Sequence, residues 1–516
     1  MHRLLVVKLM CSLFFVFTIA GQSQSLEIAF EKAGANKKEL KKVLKHFKKS
    51  KDSLKYKAAV FLIENMPINY GIHCEWFDQQ GNNLHFNEME YADFVEAKKV
   101  IDTMLSDKNS TPKQVKVYDV THIKATFLIE NIEYAFKVWK QNPWSKQYDF
   151  KTFCEYILPY RNVFEPLQDW RETYSQKNKE AINEVKTTDE PLLVLGQLMK
   201  EMQNYDFVFN RKEPIPTLGA QQALFRKQGT CLDYASLALY NSRSEGLATT
   251  FDFTPHYAAS SNRHFWNTIV DTDGTHIPFD GYEYAKGIDP VNKRLAKVLR
   301  RTYSIQKNSL ASLFSENDIP EGFLRNPNFI DATNEYIATT DVTHTFSTVD
   351  KVNYGLIHVF NLAKWQPVYW ANVTNEGKAV FKDMGRDVVY LPGYFSNGTT
   401  VLEKYPILIK ENGMQKLLNP NQGELIANCR LSRDNELKKS YIDYNPFDIE
   451  TGKRYKLFHW NDGWKQIGST QIAEENALFY KSLPVQGLYF LIPVGEYDGF
   501  ERIFTINAET NQITWY

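Results

Sequence analysis

Cysteine is scarce: the 516 residues contain five, of which Cys74, Cys154, Cys231 and Cys429 lie beyond the N-terminal segment. That excludes a small disulfide-stapled scaffold, which concentrates its bridges in a short chain. A Cys74–Cys154 bridge stays open, because spacing alone does not determine pairing. Net charge is absent as well, 61 basic residues balancing 61 acidic ones. With no bulk field, recruitment to nucleic acid is not expected. Past the first twenty residues there is no run of the roughly twenty apolar residues that a spanning helix needs, so stable membrane insertion is not expected either. His46, His73, His85 and His122 are scattered without ligand spacing, and neither a metal site nor a cofactor is expected.

What is present is the composition of a folded protein, 43% hydrophobic and 24% charged, on a chain long enough for about three or four domains. The N-terminus pairs Arg3 and Lys8 with an apolar stretch from Leu9 to Ile19, and small residues follow at Thr18 to Ala20. This reads as a signal peptide over residues 1–20, hence an exported protein, periplasmic or secreted. Cys11 sits inside the apolar run, away from the position of a lipoprotein anchor.

Three textures follow. Residues 21–204 read as mainly helical: Leu40, Val43, Leu44 and Phe47 recur at i, i+3, i+4, i+7, with lysines on the opposite face. Residues 205–315 read as turn, helix, short strands and a helical connector over 289–315. Gly229 stops one helix, Cys231 opens the next, and Gly246 is placed to cap it. "LATTFDFTP" and "HFWNTIV" read as strands, and "DTDGT" as the turn that follows. From residue 330 the chain reads as two tandem β-sandwich domains, 330–432 and 433–516. "YGLIHVFNLAKWQPV" at Tyr354 and "YKLFHWNDGWKQI" at Tyr455 share tyrosine, histidine, asparagine and tryptophan at an offset of about one hundred residues, a β-sandwich length. The expected class is α+β, multidomain.

A cysteine attacks a carbonyl carbon as thiolate and needs a base within reach. Cys231, at a helix start, meets the positive end of the macrodipole. A hairpin turning at Asp273 with an odd loop pairs residue 270 with 276, which places His264 and Asp280 diagonally on one face. The other reading is a small buried thiol beside an ordinary hairpin.

Gly229-Thr230-Cys231, the helix carrying Asp233 and Ala235, Arg243 with Glu245-Gly246-Leu247-Ala248, then His264-Phe265-Trp266-Asn267 and Phe279-Asp280 resemble the core of the transglutaminase-like superfamily. The resemblance covers about sixty to eighty residues and is carried by the order and spacing of these motifs together. It implies a papain-like core with Cys231 as nucleophile, His264 as general base and acid, and Asp280 as the group that orients it. The helical and β-rich flanks are also similar to large exported proteins of this type. Members often complete the oxyanion site with an upstream tryptophan or glutamine. Here no tryptophan lies between Trp170 and Trp266, which leaves Gln222, Gln228 and the Cys231 backbone as donors. Trp266 is expected to shield the site from water. No acidic cluster resembles a calcium site.

The expected function is thiol-dependent acyl transfer, mainly hydrolysis of peptide or side-chain amide bonds in a peptide, protein or glycopeptide substrate. The rival is a non-catalytic binding protein whose C-terminal β domains hold a glycan or protein, although Trp365, Trp370, Trp460 and Trp464 read more readily as core than as sugar-binding faces.

Overall fold

The computed structural model describes residues 24–50, 52–107, 109–209, 217–259, 263–280, 283–284, 294–347, 352–423, 425–432, 449–495, 501–507, 509–510 and 513–516. The signal-peptide reading at 1–20 lies outside the described residues. The fold is α+β, and the chain divides into two compact units. Unit 1 takes the described residues up to Phe251 and those within Trp266–Gly287 and Arg301–Ile305; unit 2 takes those within Asp252–Phe265, Ile288–Arg300 and Gln306–Tyr516.

Unit 1 opens with α1 (residues 24–33), α2 (Lys37–Ser50) and α3 (Ser53–Asn65). In α2 the buried stripe is Leu40, Val43 and Phe47, with Leu44 partly covered, so the sequence periodicity is the packed face. Asp52 caps α3 by accepting from Leu54 N and Lys55 N, and the helix ends two residues before Pro67. The region is not purely helical. β1 (Tyr70–Asp78) and β2 (Ser110–Tyr118) form an antiparallel pair around α4 (Phe94–Ser106). Their partners stand more than thirty residues apart at every pair, so local periodicity carried no sign of the pairing. After α5 (Asp119–His122), α6 (Ala125–Gln141) and α7 (Phe150–Tyr156), α8 (Arg171–Val185) and α9 (Pro191–Gln203) pack in one core with α10 (Ala220–Arg226) and α11 (Cys231–Ser244).

The strands that follow are β3 (Thr249–Thr254), β4 (His264–Val270), β5 (His276–Asp280), β6 (Glu283–Tyr284), β7 (Leu299–Arg301) and β8 (Phe329–Asp331). Within unit 1, β5 pairs antiparallel with β4 and with β6. The helical connector expected at 289–315 is not found: residues 285–293 lie outside the description, and β7 pairs with β3 through Leu299 with Phe253 and Arg300 with Asp252. The wholly buried Arg300 holds both oxygens of buried Asp252, at 2.9 and 2.7 Å, an arrangement that requires this register. The described helix in the stretch is the short α12 (Leu310–Leu313).

From residue 339, unit 2 consists of antiparallel strands laid out twice. β9 (Thr339–Thr345) pairs with β12 (Lys378–Gly385). Beside them β10 (Tyr354–Asn361), β11 (Lys364–Asn372), β13 (Val388–Ser396), β15 (Ile407–Ile409) and β16 (Gln415–Leu417) run in the order β11-β10-β13-β15-β16, with β14 (Thr399–Leu402) on β13. Then β17 (Leu425–Ser432) pairs with β21 (Ala477–Pro484). β18 (Arg454–Trp460), β19 (Trp464–Gln466), β22 (Tyr489–Pro493), β23 (Ile503–Ile506) and β24 (Ile513–Trp515) follow the order β19-β18-β22-β23-β24, with β20 (Gln471–Ile472) on β18. The strand orders are the same. Because β17 pairs with β21, the second module takes in Leu425–Ser432, which a boundary at 432 had assigned to the first. Trp460 packs edge to face on Trp365 and on Trp464, and Phe360 packs edge to face on Trp365, Trp464 and Phe490, where the two modules meet, so these faces serve packing.

His358 in β10 is wholly buried with Nδ1 3.0 Å from Leu391 O, and burial pushes its pKa from 6.5 down to about 4. Burial, with the Arg263 charge, pushes His256 to about 4 as well. Between these values and 6.5 the unfolded chain holds protons that the folded one refuses. Stability of unit 2 therefore falls as pH drops from 6.5 to 4, by about 3 kcal/mol for His358 alone. In calorimetric scans from pH 7 to pH 4, His358→Asn is expected to flatten this acid sensitivity by about one proton; an unchanged pH slope would refute the assignment.

Candidate active site

Cys231 is the first residue of α11 and is partly exposed. The turn before it is fixed from both sides. Val208 N donates to Lys227 O at 2.8 Å and Gly229 N to Val208 O at 3.0 Å, while Lys227 takes a left-handed φ of +51°. Thr230 is the N-cap and Asp233 its reciprocal partner. The Asp233 carboxylate accepts from Thr230 N and Thr230 Oγ1, both at 2.8 Å, and from Leu218 N at 3.0 Å. Gly229 is required by contact: a Cβ there would lie 2.6 Å from Asp233 Cβ and 2.9 Å from the Phe207 ring. Asp233, named above only within the resemblance, belongs to a capping box that Thr230-x-x-Asp233 already spells out.

The rest of α11 is buried from Asp233 to Ser244 and tied down by polar groups that no sequence pattern announced. Tyr240 donates to Glu165, whose carboxylate also accepts from Asn162 N and Val163 N; Asn162 Nδ2 reaches Ser236 Oγ at 2.8 Å. Arg161 holds Asp119 through Nε at 2.7 Å and a terminal nitrogen at 2.6 Å, with Tyr160 on the same carboxylate. Arg243 of the motif serves structure: Nε donates to Thr249 O at 2.9 Å, joining the end of α11 to β3. Arg171 donates to Asn131 and to the carbonyls of Ile157, Leu158 and Arg243. Burial pushes Arg243 down to about 10, and burial with the neighbouring Arg243 charge pushes Arg171 to about 9.

β4 and β5 are joined by residues 271–275, a five-residue loop in which Gly274 takes φ +84° and Asp271 N donates to Thr275 O at 2.8 Å. The register pairs Val270 with His276 and Asn267 with Phe279, as an odd loop requires. Ile269 and Phe279 share the core of Tyr234 and Leu237, and Asn267 Nδ2 donates to Ala235 O at 2.8 Å. This is the face packed on α11. Alternation places His264, Trp266 and Asp280 together on the other face of the hairpin. Asp280 closes β5 half-exposed, at a strand end. Trp266 is wholly buried. His264 opens β4, half-exposed, its ring 6.4 Å from that of Tyr257.

The glutamines separate. Gln222 is engaged elsewhere: Oε1 accepts from Gly219 N at 2.8 Å and one Nε2–H donates to Glu88 at 2.9 Å. Gln228 stays on the turn with Cys231, half-exposed. Cys74, Cys154, Cys231 and Cys429 are all free thiols, so Cys74 and Cys154 are not bridged. Burial raises the pKa of Cys74, Cys154 and Cys429.

A family model described as the transglutaminase-like superfamily matches residues 179–281, a span that contains α10, α11 and the β4–β5 hairpin with Cys231, His264 and Asp280. No curated protein matches the chain.

Proposed function

From the transglutaminase-like character of residues 179–281, we propose that the protein is an exported, thiol-dependent acyl-transfer enzyme that hydrolyses peptide or side-chain amide bonds. The observation that carries this reading is the setting of Cys231: a half-exposed thiol at the first position of a 14-residue helix, on a turn locked by Gly229, Thr230 and Asp233. The first amides of a helix lack intrahelical partners and its N-terminus favours negative charge, so the same place serves thiolate and oxyanion. The Cys231 thiolate adds to the amide carbon, and the carbonyl electrons move to oxygen, held by the Cys231 N–H. His264, having taken the thiol proton, returns it to the leaving nitrogen as the C–N bond breaks. Water, deprotonated by His264, then cleaves the thioester and regenerates the thiol. Asp280 orients the imidazole. The N-terminal pattern of residues 1–20 supports export.

The test is alkylation by iodoacetamide at mild pH with peptide mapping. Cys231 is expected to react first, ahead of Cys74, Cys154 and Cys429, whose thiols burial holds protonated. Four equally inert thiols would leave only the non-catalytic reading.

A further inference from the structure

Beside the candidate site, unit 1 contains a cavity of about 430 Å³ lined by Ile72 to Trp76 of β1, by the chain after it and by Gln168 and Gln222. Five consecutive strand residues include both faces of the strand, so the cavity runs along its edge. The hydrogen-bond pattern says which edge. Asp119 N donates to Asn69 O, one step outside the pairing of Tyr70 with Tyr118. Bonded pairs alternate in an antiparallel ladder, so odd-numbered residues of β1 bond to β2 and even-numbered ones turn their N–H and C=O away. On that far edge Ile72 N donates to Phe164 O at 2.7 Å, Trp76 O accepts from Leu84 N at 2.8 Å, and Asp78 N donates to Asn82 O at 2.9 Å. Cys74 lies midway. Among the described residues its N–H and C=O meet no backbone partner, and the cavity is what they face.

The gap has a built cause. The chain from Asn82 to Leu84 runs beside β1, but His85 takes a left-handed φ of +50° and turns it off. Glu88 is then held away by Arg226, whose Nε lies 2.9 Å from both carboxylate oxygens, and by Gln222. From Ile72 to Trp76 the open edge spans about 13 Å at 3.3 Å per residue, room for a segment of three to four residues. The ion pair neutralises Glu88, the carboxamides of Asn83, Gln168 and Gln222 make the walls polar, and the remaining lining carboxylate, Glu75, accepts from Asn83 Nδ2 at 2.9 Å, so the lining disfavours acidic side chains.

We propose that this edge binds an extended peptide without acidic residues, which pairs main chain to main chain with Cys74 and completes β1 as a strand between β2 and the ligand. The site is distinct from the Cys231 chemistry and does not depend on it.

The test uses the full-length Cys231→Ala chain, in which acyl transfer cannot consume the probe. The probe is a pool of acetylated, amidated pentapeptides of Ala, Val, Ser, Thr and Asn, with a backbone N-methylated pool beside it. Residue-resolved hydrogen exchange is expected to show the Cys74 amide slowed by about tenfold or more at saturating peptide, with no protection from the N-methylated pool. Cys74→Pro removes the outward N–H and none of the bonds to β2, and it is expected to weaken binding by roughly tenfold. Should that variant fail to fold, the two pools on the parent still decide. Absence of binding at millimolar peptide, protection at the start of α11 instead of at Cys74, or equal binding by the N-methylated pool would each overturn the proposal.

Discussion

Cys231→Ala is expected to abolish acyl transfer, a loss on the order of 10⁵-fold in kcat, while the melting of unit 1 hardly moves. The side chain is half-exposed at the helix start, and the groups that shape the turn are its neighbours. Thr230, Asp233 and Gly229 keep every contact when the sulfur is lost, so the variant separates chemistry from folding. His264→Ala is expected to fall to a similar level, since nucleophile and base act as one unit, and Asp280→Asn to retain somewhat more. A substrate found with the parent and turned over at the same rate by Cys231→Ala would end the nucleophile assignment. If His264→Ala and Asp280→Asn keep full rate while Cys231→Ala is dead, the thiol is used without this base.

The largest stability effect is expected from Arg161→Ala. Its guanidinium is buried and makes a two-point pair with buried Asp119, and the same chain turn presents Asn162 and Glu165 to α11. Removing the cation strands a carboxylate whose remaining side-chain donor, among the described residues, is Tyr160. Breaking a buried pair from one side costs about 3–5 kcal/mol, which for a unit of this size lowers Tm by roughly 10 °C. Arg161→Met with Asp119→Leu, which removes both charges, is expected to recover most of the loss. Differential scanning calorimetry on the three chains decides. A shift below about 2 °C for Arg161→Ala would mean that water reaches Asp119 and the pair is not structural. Iodoacetamide reactivity of Cys231 should fall with it, since Glu165 and Asn162 position α11 through Tyr240 and Ser236.

The sequence by itself determined what is local in the chain. The apolar stripe of α2, the helix opened by Cys231 and closed at Gly246, the strands at Thr249 and His264, and the odd loop that sets Val270 opposite His276 all follow from propensities and turn chemistry within a few residues. The doubled order of strands in unit 2 was legible for a related reason: a repeated motif needs no knowledge of its partners. Tertiary structure decided what depends on residues far apart. The β1–β2 pair, the strand Leu299–Arg301 where a helix was expected, and the Asp119–Arg161–Glu165–Tyr240 network join positions tens of residues distant, and no local signal encodes their meeting. The same holds for side chains whose type was read correctly and whose use was not. Gln222 bonds to Gly219 and Glu88, because burial and hydrogen-bond satisfaction are settled by every element packed around a group and not by its place in the chain.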